Sequence, residues 1–238
     1  PVNHWRDNDE PDREGIMEIR YIEGIYAYYD SLIARYPNSF RINCASGGRR
    51  IDIEMIKRFH VHQKSDFWFN GIVDQASLAA IAGFLPNGLV MVPINKLDNY
   101  SFHSHLPSSL NLGWIADDPA FDMGKAMQLT KWYHGVKKYL AGWFMPLTPV
   151  NKDESSWIAS QYHRDDLQEG MLLILKRPAC GLTEFTVKPG WIDPQADYKL
   201  LYQAEGREET VKGSLLAEGY TVMLEAQPAS TLIIYKKL

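Results

Sequence analysis

Phe40-Arg41-Ile42-Asn43-Cys44-Ala45-Ser46-Gly47-Gly48-Arg49-Arg50, then Ile51 to Ile56, then Lys64-Ser65-Asp66-Phe67-Trp68-Phe69, reads as strand, polar turn, helix and strand. Phe40 and Ile42 supply a short apolar strand, and Ile51, Ile53, Met55 and Ile56 a helical segment. The polar groups gather where each strand ends, which is where α/β folds bind ligands. Gly47 and Gly48 let the backbone turn sharply and approach a ligand, so their amides can donate to hydroxyls or anions. The same pair suits an ordinary strand-to-helix turn, and the pattern leaves both readings open. Asp66, flanked by Phe67, Trp68 and Phe69, is a candidate for partial desolvation. Loss of water disfavours a carboxylate, and an acid that donates a proton near neutral pH needs its pKa raised from about 3.9. An exposed aspartate at a strand end is the alternative.

Upstream, Asp7, Asp9, Glu10, Asp12 and Glu14 form an acidic run. It suits either a metal or a solvated loop that caps the next helix, with Asp12 placed at that helix's start. Apolar residues from Ile16 to Tyr36 recur at helical spacing until Pro37. Downstream, Val73 to Phe84 is a small-residue helix broken by Leu85-Pro86-Asn87-Gly88. Leu89-Val90-Met91-Val92 is an apolar run of the kind buried in a parallel sheet. It leads through a polar segment, Asn95 to His105, to a strand near Leu110 to Trp114 and a helix over Asp122 to Leu140. Strand alternating with helix implies parallel pairing with right-handed crossovers. Four such strands make half of a (β/α)8 TIM barrel.

Beyond Gly142 the helices stop. Trp157 to Tyr162, Met171 to Lys176, Glu184 to Lys188, Tyr198 to Gln203, Tyr220 to Glu225 and Thr231 to Lys236 are short strand-like runs. Turn signals at Glu169-Gly170, Pro189-Gly190, Asp193-Pro194 and Glu218-Gly219 separate them. This predicts an antiparallel β-sandwich, and Val222, Leu224, Leu232 and Ile234 suggest a single inward side. The expected domains are residues 1–142 and 143–238.

A formal net charge of −4 leaves no basic footprint, which argues against a nucleic-acid partner. No apolar run is long enough to span a membrane. An aromatic share of 12% suits a carbohydrate site or a large core equally. Cys44 and Cys180 stand far apart in unlike contexts, so no disulfide framework shows, a usage that leans towards the cytoplasm. The chain opens at Pro1 without methionine or signal peptide, as if in mid-domain, so a piece of a longer protein is expected. His60-Val61-His62 and His103-Ser104-His105 would put both histidines of each pair on one face of a strand, a spacing that suits zinc. Neither context offers a third ligand, and His60 also suits a helix-to-strand junction.

Asn43 to Asp52, followed at the right interval by Ser65-Asp66, resembles the second half of the catalytic barrel of the glycoside hydrolase family 36 α-galactosidases. Trp5 to Ile16 resembles that family's segment after its nucleophile, and Tyr139 to Pro149 its exit from the barrel. The resemblance implies barrel strands five to eight followed by a C-terminal β-sandwich. It also implies retaining cleavage of terminal α-galactosides without metal or organic cofactor, by two carboxyl groups about 5 to 5.5 Å apart. Asp66 matches the acid/base. The nucleophile aspartate falls before Pro1, so the missing N-terminal part is an expected partner and the isolated chain is expected to be inactive. Cys44, Gly47, Gly48 and Arg49 match the sugar-contacting turn, although Arg49 can instead pair with Asp52 or Asp66. Trp68 suits an aromatic wall beside the leaving group, or core packing. Gln63-Lys64, Phe67-Trp68-Phe69 and Trp143 depart from the family's pattern on the leaving-group side. Half a barrel also leaves strand edges and apolar helix faces uncovered, which favours association of copies into a homo-oligomer. A rival from another class is a non-catalytic carbohydrate-binding or interaction protein built on the same barrel.

Overall fold

A computed structural model describes residues 2–67 and 69–238, which divide into two units, Pro1–Ser65 and Asp66–Leu238. The first unit runs through helices α1 (Val2–Asp7) and α2 (Ile16–Arg35), strand β1 (Ile42–Asn43), helix α3 (Ile53–Arg58) and strand β2 (Val61–Gln63). β1 and β2 pair in parallel, Ile42 with Val61 and Asn43 with His62. The strand expected over Lys64 to Phe69 thus lies directly before it, at Val61–Gln63. The N-cap residue of α2 is Gly15, and the carboxylate that serves the start of the helix is that of Asp9 rather than Asp12, accepting from the Gly15 and Met17 amides at 2.8 and 3.0 Å. Those two backbone donors hold the Asp9 carboxyl below its usual range. Asp12 takes a left-handed conformation instead, with φ 62°. Arg58 grips Asp30 of α2 through two bonds of 2.7 and 2.9 Å, and Tyr29 meets Phe59 edge-on at 5.0 Å.

The second unit opens with α4 (Gly71–Ile81), β3 (Val90–Ile94), α5 (Asn99–His105), β4 (Ser109–Leu112) and α6 (Met123–Val136). β3 and β4 are parallel, in register from Met91 and Ser109 to Ile94 and Leu112. Asn70, Asp98 and Asp122 cap the three helices by accepting from the Val73, Ser101 and Lys125 amides. The Asp98 cap creates α5 within a segment that showed only polarity. Then follow β5 (Trp143–Pro146), β6 (Trp157–Arg164), β7 (Glu169–Lys176), β8 (Glu184–Val187), β9 (Asp197–Tyr202), β10 (Arg207–Lys212), α7 (Gly213–Glu218), β11 (Tyr220–Met223) and β12 (Ala229–Lys237). Glu169-Gly170, expected as a turn, begins β7. Six of these strands make an antiparallel sheet in the order β10-β9-β12-β7-β6-β5, while β11 and β8 form a separate antiparallel pair.

The larger sheet is apolar on both faces, which overturns the expected single inward side. Ile158, Tyr162, Leu173 and Leu232 pack with Ile94, Phe102 and Leu129 of the α/β part. Ala159, Leu172, Ile174 and Ile233 pack with Val187 of β8 and Val222 of β11. β6 and β7 are accordingly buried along almost their whole length, and a strand covered on both sides shows no alternation.

Polar ties cross the first of these interfaces. The buried Tyr162 hydroxyl donates to Asn87 Oδ1 at 2.7 Å, and Asn87 Nδ2 donates to the Leu78 carbonyl at 3.1 Å. Arg177, fully buried, gives Nε to Gln75 Oε1 at 3.0 Å and its terminal nitrogens to Asn151 and the Asp153 carbonyl. Tyr162→Phe would strip the Asn87 oxygen of its donor without changing the packing. It should cost roughly 1–3 kcal/mol in chemical denaturation, whereas a cost near zero would show that the bond contributes nothing to the interface.

Candidate active site

The turn after β1 is built by its own polar groups. Asn43, buried, donates through Nδ2 to the Arg50 carbonyl at 2.7 Å and lies 3.1 Å from His62 Nδ1, so one amide closes the turn and ties it to β2. His62 is fully buried, and that burial pushes its pKa down. Ser46, Gly47 and Gly48 take left-handed φ values of 46°, 68° and 91° in succession. The Arg49 amide donates back to Ala45 at 3.1 Å, and Ile51 to Gly48 at 3.2 Å. A Cβ at Gly48 would overlap the Lys64 carbonyl, so here the close approach is to the chain itself, two residues before Asp66. Asn43 and His62 were not singled out together from sequence; their facing register in β1 and β2 is the link.

The structure therefore gathers Cys44, Gly47, Gly48 and Arg49 on one turn, with Cys44 and Arg49 exposed. Asp52, one of the two partners considered for Arg49, is committed to α3, where its Oδ1 accepts from the Met55 amide at 2.9 Å. Asp66 stands just past the end of β2 and is exposed. Phe67 and Phe69 beside it are 58% and 40% exposed. The partial desolvation expected of Asp66 is thus not what the structure shows, because the flanking rings are themselves in water. Trp68 lies outside the described residues.

The histidine pairs separate. His60 is exposed at the junction of α3 and β2, where its Nδ1 accepts from the Arg41 amide at 3.1 Å and its ring stacks on Phe40. His103 and His105 sit on α5 rather than a strand, which turns them about 200° apart around the helix. His103 Nδ1 meets Ser230 Oγ at 2.8 Å. His105 donates through Nδ1 to the Ser101 carbonyl and places Nε2 3.0 Å from the buried Asp74 carboxylate. Neither is arranged with its neighbour for a shared ion.

Gly48→Ala forces a side chain into a left-handed conformation and against backbone, so it should destabilise the first unit by about 1–2 kcal/mol or more, read by hydrogen exchange at Lys64 and Ser65. Unchanged exchange there would show that the contact is slack. Burial, aided by the Lys125 charge, pushes the His103 pKa from 6.5 down to about 4. An unfolded chain takes up this proton as pH falls below 6.5 and the folded protein only near 4, so stability is lost on acidification through that window. This group should contribute a loss of roughly 3 kcal/mol, and His103→Asn should flatten the pH dependence of the urea midpoint between those limits.

No protein-family model matches the chain, and a search of curated proteins finds no relative. Solved structures do resemble it. The α-galactosidase AgaA of Geobacillus stearothermophilus superposes with a TM-score of 0.80 at 16% identity, over 98% of this chain and 33% of that one. AgaB of the same organism gives 0.74 at 20% identity, over 97% and 33%. The galactosidase domain of the α-galactosidase-sucrose kinase AgaSK gives 0.78 at 17%, over 94% and 32%. Variants of AgaA have been solved with raffinose and with stachyose. The chain spans about a third of the length of these structures. It therefore shares the fold of that portion of the glycoside hydrolase family 36 α-galactosidases, the family that its Asn43 to Asp52 turn and Ser65-Asp66 step resemble.

Proposed function

We propose that this chain is the C-terminal portion of a retaining α-galactosidase, with residues 1–142 forming the second half of its (β/α)8 barrel and 143–238 its β-sandwich. The observation that carries the reading is a fold likeness over 98% of the chain, combined with site candidates that follow the carboxyl ends of β1 and β2. Asp66 is the acid/base. Its carboxyl protonates the glycosidic oxygen while an aspartate of the upstream portion attacks the anomeric carbon; its carboxylate then takes a proton from the water that cleaves the glycosyl ester. Cys44, Gly47, Gly48 and Arg49 form the wall against the terminal galactose, and Trp68 stands beside the leaving group. The water that now reaches Asp66 is displaced when the rest of the barrel closes over it, which supplies the desolvation that this chain lacks by itself. α-Galactosyl oligosaccharides, of which AgaA variants bind two, are the substrate class.

The exposure of Asp66 favours one other reading, a binding protein that retains the turn without turnover. Activity on an aryl α-galactoside separates the two. The full-length protein should hydrolyse it, the 238-residue chain alone should not, and Asp66→Asn should lower the rate at least ~100-fold. Activity untouched by Asp66→Asn overturns the assignment, and galactose binding with no turnover at any pH establishes the rival.

A further inference from the structure

Across the antiparallel sheet, Tyr235 of β12, Gly170 of β7, His163 of β6 and Trp143 of β5 stand in one register row, so their side chains share a face. A Cβ at Gly170 would collide with the Tyr235 hydroxyl, so the missing side chain is what lets that ring reach His163. Hydrogen bonds along the row fix the position of one proton. The Gly190 amide donates at 2.8 Å, which turns Gln161 Oε1 towards it and Nε2 towards the Gly190 carbonyl and the Tyr235 hydroxyl. Because that hydroxyl already accepts from Gln161 at 2.7 Å, its own proton goes to His163 Nδ1 at 2.9 Å. His163 is buried and burial lowers its pKa, so the ring is neutral at pH 7 and carries its proton on Nε2.

His163 lines a cleft of about 450 Å³ together with Trp143, Arg164, Asp165 and Asp166. Its Nε2–H has no acceptor at hydrogen-bond distance among the described residues and, unlike the Trp157 indole nitrogen, is not sealed from solvent. Asp165 Oδ1 stands 3.9 Å from it, on a side chain 77% exposed and steadied by Gln168 Nε2. That gap is too long for a direct bond and fits one hydroxyl, accepting from the imidazole and donating to the carboxylate. Arg164 closes its fork on Asp166 at 2.7 and 2.6 Å, so among the lining residues Asp165 keeps the one uncompensated charge. Beside this pair the Trp143 indole is 64% exposed. Trp191, its ring within 5° of the His163 plane, is held left-handed just past the Gly190 that Gln161 pins from both sides.

A phosphate or carboxylate would meet the Asp165 charge, and a cation would meet the Nε2–H donor and Arg164. A neutral ring with C–H faces and hydroxyl edges meets neither penalty. We propose that this cleft is a second, non-catalytic saccharide site, in which one sugar hydroxyl bridges His163 Nε2 and Asp165 Oδ1 and the ring lies on the Trp143 indole. The glycosidase reading gives these residues no part, and the site does not depend on it.

The test is calorimetric titration of the full-length protein with sucrose, a neutral disaccharide with no galactose to cleave, and with inorganic phosphate and tetramethylammonium as charged probes. Wild type is compared with Trp143→Ala and Asp165→Asn, two largely exposed positions whose substitution leaves the core intact. Trp143→Ala should weaken sucrose at least ~10-fold and Asp165→Asn ~3-fold. Asp165→Asn should leave kcat and KM for an aryl α-galactoside within ~2-fold of wild type. The assignment is overturned by a wild type that does not bind sucrose, by sucrose affinity that survives both variants, or by either charged probe binding more tightly than sucrose. A KM that rises in step with the lost sucrose affinity also overturns it. Turnover insensitive to Asp66→Asn sinks the glycosidase reading alone and leaves this site standing.

Discussion

Exclusion of water from both faces of the six-stranded sheet is the constraint on which the second unit depends. Consecutive residues such as Leu172 and Leu173, or Leu232 and Ile233, point to opposite sides and are all buried, so neither side of the sheet is expendable. Each such side chain contributes about 1.5–3 kcal/mol by leaving water. Polar atoms inside a sheet of this kind are costly to leave unpaired, and most find partners, the Trp157 indole nitrogen and the Thr231 hydroxyl being exceptions among the described residues. Gln161, with no exposure, donates to the Tyr235 hydroxyl and the Gly190 carbonyl and accepts from the Gly190 amide. Arg177 likewise spends its guanidinium on oxygens of Gln75, Asn151 and Asp153, with no carboxylate at hydrogen-bond distance among the described residues.

The first unit is held differently. β1 has two residues and β2 three, too few for ladder bonds to define a turn. Side chains therefore do the fixing: Asn43 spans the turn, Asp52 starts α3 and Asp9 starts α2. The result is a hydrogen-bonded bend carried on a thin scaffold. α2 buries none of its residues, and Ile19 and Tyr28 are 54% and 59% exposed, although its spacing is that of a helix with a covered stripe.

What was legible in the sequence follows from what is local. The spacing of α2 and α6, the apolar run of β3 and the strands β6 and β7 were readable because burial writes itself into periodicity. α5 was missed because its polar residues, His103 and Ser104 among them, are buried by tertiary packing that no periodicity announces. β10 was missed because Arg207, Glu208 and Glu209 lie on an edge strand, where charge is favoured and apolar alternation is not needed. In the site, the glycine turn was visible but the left-handed Ser46 was not, since serine carries no conformational signature. The aromatic neighbours of Asp66 suggested burial, yet exposure is decided by what packs across a side chain rather than by what precedes and follows it.

β12 lies between β9 and β7, yet it follows both of them along the chain. While a ribosome is still making residues before Ala229, β9 and β7 have no common neighbour and both cores lack their Leu232 and Ile233 contributions. Assembly of this part therefore waits for β12 to be made, and a chain stopped before that point would expose two open edges to the cell's quality-control machinery.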